Sequence, residues 1–176
     1  MMTNKLSAKE IADLAQRTYQ AADYSTAAQT FAEAAAAYAK TGDALLSAEM
    51  KNNQSVALLR ARQALAALEA AEGTEKVFAD SKDFRRQGMA LANQASALEA
   101  LKRFKEAIDY YKRAGDILEK ANEGDLRAVV MQLLSALYLR RFKLYDAVIA
   151  LQSGLAGVKN PTPRQRFMKK ILFIRL

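Results

Sequence analysis

The chain of 176 residues carries 27 lysine and arginine residues against 19 acidic residues, a formal net charge of +8, and 51% of its residues are hydrophobic, enough for a sizeable core. It contains no cysteine and no histidine, which excludes disulfides and thiolate metal sites and removes the commonest general base and metal ligand. Seven glycines and two prolines among many alanine, leucine, lysine, glutamate and arginine residues predict an all-α protein.

The first half of the chain contains signals for four helices. Ser7 and Glu10 have the spacing of a capping box, so the first helix is expected over about residues 7–22, where Asp23 ends it. The second is expected over residues 25–40, stopping at Gly42, and the third over residues 44–59.

The fourth helix has weaker boundaries, because residues 60–62 contain neither glycine nor proline. Gly73 lies within or near its end, so residues 72–81 are expected to be irregular. Aspartate before a helix supplies both a capping hydrogen bond and a charge that suits the helix N-terminus. Asp43 and Asp83 are expected to act in this way, and Asp125 is expected to have a similar role from a position two residues late.

The second half predicts four more helices and a C-terminal one. The expected ranges are residues 84–101, 104–121, 126–140 and 143–155, with helix stops at residues 122–124 and 157–161. Pro163 then fits the first turn of a ninth helix, where its missing N–H is harmless.

A unit of forty residues recurs along most of the chain. Its second half carries an alanine at each repeat, and its first half carries a small residue twelve positions earlier; the two series are Ala27, Ala67, Ala107 and Ala147, and Ala15, Ser55, Ala95 and Ser135. Small side chains allow two helices to approach closely, so each pair is predicted to mark a helix contact. Repeats of this length predict stacked units, because one unit cannot bury its own apolar face.

These residues resemble the pattern of the tetratricopeptide repeat (TPR) family, in a long-period variant of about forty residues rather than the usual thirty-four. Residues 91–114 and 14–34 match it well and residues 131–154 moderately. The second unit departs most, with Lys51 at an apolar position and Ala64 and Ala71 at aromatic positions.

The resemblance implies an α-solenoid of antiparallel helix pairs in a right-handed superhelix. Residues 1–160 would form four repeats, at approximately 5–42, 43–82, 83–124 and 125–160, and residues 161–176 a basic amphipathic capping helix.

In TPR proteins the first helix of each unit lines a concave groove that binds an extended peptide or a partner helix. Carried over by position, the groove-lining candidates are Lys9, Gln16, Tyr19, Asn52, Asn53, Arg60, Asn93, Gln132 and Arg140, interspersed with Ala12, Glu49, Val56, Met89, Ala92, Ser96, Val129 and Ala136. An amide such as that of Asn53 or Asn93 can hold a peptide backbone by donating and accepting hydrogen bonds. The alternative is that these asparagines bond neighbouring helices or water.

Within the TPR family, some members use a clamp of lysines, asparagines and an arginine to bind a terminal carboxylate. Only Asn53 matches that clamp here, because Ala12, Gln16, Met89 and Asn93 occupy its other positions. A ligand recognised along its length, by a mixed polar and apolar lining, is therefore expected instead.

The C-terminal segment from Lys159 onward carries six basic residues and no acid. Phe167, Ile171 and Ile174 form an apolar stripe, with Met168 and Leu172 beside it. It is read as a helix that caps the last repeat. The alternatives are a self-association patch of Arg164, Phe167, Lys170, Ile171 and Ile174, which would make a homo-oligomer, a membrane-surface helix, and a phosphate-binding patch.

Nothing in the sequence indicates catalysis or a cofactor. The acidic residues are scattered at the spacings of solvated helix faces, and there is no Gly-rich phosphate loop after a strand. The start of the chain lacks the apolar core of a signal peptide, so a cytoplasmic protein is expected. We expect a non-catalytic scaffold that binds a protein or peptide partner, the alternatives being a self-assembling subunit or a nucleic-acid or membrane-surface adaptor.

Overall fold

The computed structural model of the chain describes residues 6–172, which form an all-α solenoid whose helices pack in chain order. The helices are α1 (Ala8–Gln20), α2 (Tyr24–Lys40), α3 (Ala44–Arg60), α4 (Ala64–Ala71), α5 (Thr74–Asp80), α6 (Phe84–Ala100), α7 (Phe104–Lys120), α8 (Gly124–Arg140), α9 (Leu144–Ala156) and α10 (Pro163–Leu172). The predicted fold class is confirmed, and Pro163 opens the last helix as expected.

The helices follow a period of twenty residues, half the period that the sequence suggests. Helices α2, α3, α4, α6, α7, α8 and α9 begin at residues 24, 44, 64, 84, 104, 124 and 144. The second residue of each intervening turn has a positive φ between 57° and 79°; these residues are Ala22, Gly42, Arg62, Lys82, Lys102, Asn122 and Phe142. Only glycine and asparagine adopt this conformation readily, so most of these turns carry no sequence signal.

The helix starts use the predicted caps with one exception. The capping box of Ser7 and Glu10 is present, and Asp43 and Asp83 accept hydrogen bonds from backbone N–H groups three residues on, both at 2.9 Å. The prediction for Asp125 is wrong. It lies inside the first turn of α8, which starts at Gly124 and has no side-chain cap.

The predicted irregular stretch over residues 72–81 is also wrong, because the chain resumes a helix at α5. The break is confined to two residues, and Gly73 takes the left-handed conformation that it needs, with φ 78°. The carbonyl of Ala71 accepts hydrogen bonds from the Thr74 hydroxyl at 2.7 Å and from the Gln94 amide at 3.2 Å. Gln94 also donates to Glu75 at 2.7 Å, so α6 holds both sides of the break together.

The predicted contacts between small residues are confirmed. The Ser55 hydroxyl donates to the Ala67 carbonyl at 2.7 Å, and the Ser135 hydroxyl donates to the Ala147 carbonyl at 2.8 Å. The corresponding alanines of the other pairs, Ala15, Ala27, Ala95 and Ala107, are fully buried. The same spacing of twelve residues recurs between α2 and α3, where the Ser47 hydroxyl donates to the Ala35 carbonyl at 3.0 Å. Each such contact brings two helix backbones close together.

Arginines at the end of one unit's first helix cover aromatic rings of the unit before it. The Arg60 guanidinium lies 5.6 Å from the ring centroid of Tyr24, and that of Arg141 lies 4.8 Å from the ring of Phe104. Both rings stand at the start of a unit's second helix. The second unit has Ala64 at this position, so it lacks the equivalent cation–π contact.

Helix α10 packs against α9 through its Met168 and Leu172 side, which is half-buried. The Gln152 amide donates to the Leu172 carbonyl. The predicted stripe is therefore not the packed one, because Phe167 and Ile171 are exposed. None of the helices in residues 6–172 combines the length and the apolar character that crossing a membrane requires.

Candidate peptide-binding groove

A cleft of about 220 Å³ lies between the first helices of the first two units, α1 and α3. Its walls are Gln16 and Tyr19 on α1 and Asn53 and Val56 on α3, and Phe31 of α2 also lines it. All four wall residues were among those that the sequence nominated for a groove. Phe31 was not among the groove candidates, and it reaches the cleft from the core, where its side chain is buried.

One end of this cleft is aromatic and positively charged. The rings of Tyr19 and Tyr24 meet edge to face with centroids 5.3 Å apart, and the Arg60 guanidinium lies over the Tyr24 ring. The Tyr19 hydroxyl, followed by Tyr24, raises the pKa of Arg60 above its ordinary value. The lining thus combines an apolar surface and two amides, and a permanent positive charge lies beside it, next to Tyr19 and Tyr24.

Asn52 and Asn93 bond each other rather than presenting free amides. Asn52 is buried, donates to the Ala48 carbonyl at 3.2 Å and accepts from the Asn93 amide at 3.3 Å. For these two residues the structure matches the alternative in which an asparagine bonds a neighbouring helix, here α3 to α6. Asn53, one residue along, is half-buried on the cleft wall instead.

The remaining groove candidates lie away from the cleft. Lys9 is exposed and pairs with Asp13 at 2.8 Å, an interaction that raises the pKa of Lys9. Arg140 forms an ion pair with Glu99. Gln132 is exposed and lines a separate cavity of about 180 Å³ beside α10. The structure therefore gathers Gln16, Tyr19 and Asn53 around one cleft, places Arg60 beside it, and distributes Lys9, Gln132 and Arg140 along the solenoid.

The nominated surface patch on α10 is accessible where the structure describes it. Arg164 and Lys170 are exposed, as are Phe167 and Ile171. Ile174 lies outside the described residues. Phe167 and Lys170 also line a shallow cavity of about 350 Å³ with Pro163 and Arg166.

A larger cavity, of about 480 Å³, was not predicted and lies at the break between α4 and α5. It is lined by Ser47, Lys51, Glu72, Thr74 and other residues. Lys51 stands at an apolar position of the repeat, and Gly73 was expected near the end of the fourth helix. No local pattern indicated that these two residues line the same cavity. The two hydroxyls already donate to backbone carbonyls, which leaves Lys51 and Glu72 as the cavity's charged groups.

Within residues 6–172 no three acidic side chains lie close enough together to hold a metal ion. Among the described residues, Tyr111 has the pKa that differs most from its ordinary value, and burial is the main reason that this pKa is raised. Its hydroxyl is hydrogen-bonded to Ser96 and Glu99 inside the core, so its role is structural. Compared with protein-family models and with curated proteins, the sequence gives no match.

Proposed function

We propose that the chain is a non-catalytic protein-interaction module of the TPR type, which binds an extended peptide or a partner helix along the first helices of its units. The observation that carries this proposal is the cleft between α1 and α3, where Gln16, Tyr19, Asn53 and Val56 come together.

The chemistry of the cleft supports a peptide ligand. Val56 and the Tyr19 ring offer an apolar surface for one side chain of the ligand, next to the buried Phe31, while the amides of Gln16 and Asn53 can donate to and accept from its backbone. The cleft is smaller than the roughly 300 Å³ at which small-molecule pockets begin, which favours a single side-chain anchor of a longer ligand. Arg60 at the aromatic end favours an acidic residue next to that anchor.

The lining also supports a binding role rather than a catalytic one. It contains no carboxylate, and the chain has no histidine or cysteine that could act as a base or nucleophile there.

The proposal is tested by selecting peptides from a random display library on the intact chain and measuring their affinities by isothermal titration calorimetry. We expect selected peptides to share a large apolar residue, and Asn53→Ala or Val56→Arg to weaken their binding by at least about tenfold. Gln29→Ala is the matched control, because it removes an exposed amide on α2, outside the cleft and away from the first helices. Peptides that bind both cleft variants as well as the unmodified chain would refute the proposal.

A further inference from the structure

The net charge of the chain resides at the end of the fourth unit and in the C-terminal segment that follows it. From Arg140 to the C-terminus there are nine basic residues and one acid, Asp146, whereas residues 1–139 carry 18 basic and 18 acidic residues. Arg141 and Lys143, in the turn before α9, form no ion pair within residues 6–172; they lie instead over the rings of Phe104 and Tyr138. This end of the solenoid therefore attracts an acidic partner.

The same unit exposes a continuous apolar surface. Leu144, Tyr145, Val148 and Ile149 stand on one side of α9, here called the α9 outer face, and are 66%, 79%, 41% and 45% exposed. Phe142, in the preceding turn, is 91% exposed.

In the other units, the positions equivalent to Leu144 and Val148 are covered by a neighbouring helix. Forty residues before Leu144 and Val148 stand Phe104 and Ile108, which are half-buried in the core that α7 shares with α8. In the first unit the equivalent residues are Tyr24 and Ala28, eighty positions before Phe104 and Ile108. They lie on the side of α2 that packs against α3. In both cases the first helix of the following unit lies against this side.

The other half of the α9 outer face is polar in the first and third units, and in the second unit its equivalents are the exposed Leu65 and Glu69. Tyr145 and Ile149 correspond to Lys105 and Asp109 in the third unit, which are exposed. In the first unit the corresponding residues are Ser25 and Gln29, also exposed. The last unit therefore has an apolar surface wider than the stacking of another unit would require.

Within the residues that the structure describes, helix α10 (Pro163–Leu172) occupies only a portion of the place that a following first helix would take. It begins at Pro163, close to the start that the twenty-residue period gives, and lies near Leu151 and Leu155 in the C-terminal half of α9. In the N-terminal half, Leu144, Tyr145, Val148 and Ile149 stay exposed.

We propose that the α9 outer face binds an acidic amphipathic helix of another protein, which lies against α9 in the manner of the next unit's first helix. Leu144 and Val148 stand at positions that contact a helix in the earlier units, so a helix fits them better than an extended strand does. Tyr145 and Ile149 widen the apolar contact, and Arg141 and Lys143 pair with carboxylates on the partner. A second copy of this chain fits poorly, since it would bring two strongly basic surfaces together.

The test uses a synthetic, fluorescently labelled helical peptide about as long as α8, with leucines at the spacing of one helix face and glutamates elsewhere. Binding to the intact chain is measured by fluorescence anisotropy at low and at high salt. We expect saturable binding that weakens by at least about tenfold at high salt, and a loss of at least about tenfold in a Tyr145→Lys, Ile149→Asp double variant. That variant carries the polar pair of the third unit at exposed positions, so circular dichroism is expected to show an unchanged fold.

Two further variants separate this surface from others. Lys143→Glu should weaken binding of the acidic peptide, whereas Asn53→Ala, in the α1–α3 cleft, should leave it unchanged. The proposal fails if a peptide with lysines in place of the glutamates binds equally well, or if the double variant binds the acidic peptide like the unmodified chain. It also fails if the chain does not bind the peptide but binds anionic vesicles through these residues. A dimer that the double variant abolishes would overturn it as well.

Discussion

Gly124 provides a sharp test of how closely the helices of the last unit approach each other. It is the first residue of α8, and its Cα faces Gly157, the residue at which α9 ends. A Cβ added at Gly124 would lie 2.6 Å from the carbonyl carbon of Gly157 and closer still to its oxygen. Because the obstacle is backbone, no rotamer change can relieve the overlap.

The expected cost follows from two opposing effects. Inserting a methyl group into a filled contact costs about 1–3 kcal/mol. Replacing glycine by alanine inside a helix stabilises the folded state by about 0.5–1 kcal/mol, and by less at the first position of the helix. Gly124→Ala should therefore lower the free energy of unfolding by about 1–2 kcal/mol, which for a chain of this length lowers the Tm by about 2–8 °C.

The assay is thermal unfolding followed by far-ultraviolet circular dichroism, with Gly157→Ala as the matched control. A Cβ at Gly157 would lie 3.5 Å from the Gly124 Cα, an ordinary contact, so this variant should unfold within about 2 °C of the unmodified chain. A Gly124→Ala protein as stable as the control would refute the close approach of these two backbones.

Three further changes test other regions of the fold. Ala107→Leu should destabilise the protein by about 1–3 kcal/mol through overpacking, and an unchanged melting curve would contradict the contact described for this fully buried position. Gln94→Ala removes the hydrogen bonds to the Ala71 carbonyl and to Glu75 and should cost about 1–3 kcal/mol in urea unfolding; a loss no larger than for an exposed glutamine would argue against the link across the α4–α5 break. Burial raises the pKa of Asp83, but hydrogen bonds from the Arg86 N–H and guanidinium outweigh it and hold that pKa below its ordinary value. The stabilisation from Asp83 is thus complete above its ordinary pKa of about 4 and is lost as the pH falls through the lower folded value, so the stability difference between the unmodified chain and Asp83→Asn should shrink in acid, as pH-dependent unfolding would show.

Local patterns predicted most of the helices well. The predicted second helix, residues 25–40, differs from α2 by one residue at its start, and the caps at Asp43 and Asp83 form as expected. These features depend on residues within one turn of each other, which is the range over which capping and helix periodicity act.

The candidate groove was predicted less completely. The repeat register placed Gln16, Tyr19 and Asn53 on the first helices of their units, and the structure brings them around one cleft. The repeat register could not show that Asn53 lines the cleft whereas Asn52 does not. Adjacent residues on a helix point about 100° apart, and the residues that surround each of them come from other helices. Only the packing of α3 against α6 shows that Asn52 is bonded to Asn93.

The sequence by itself determined the helical class, the starts of most helices and the small residues at which helix pairs touch, because side-chain size and local hydrogen bonding act at short range. The tertiary structure decided which side chains share a cleft, how Gln94 spans the break beside Gly73, and that residues 6–172 leave the apolar surface in the N-terminal half of α9 exposed. Those features join residues more than a helix length apart in the chain, and their geometry depends on how successive helices stack rather than on any local pattern.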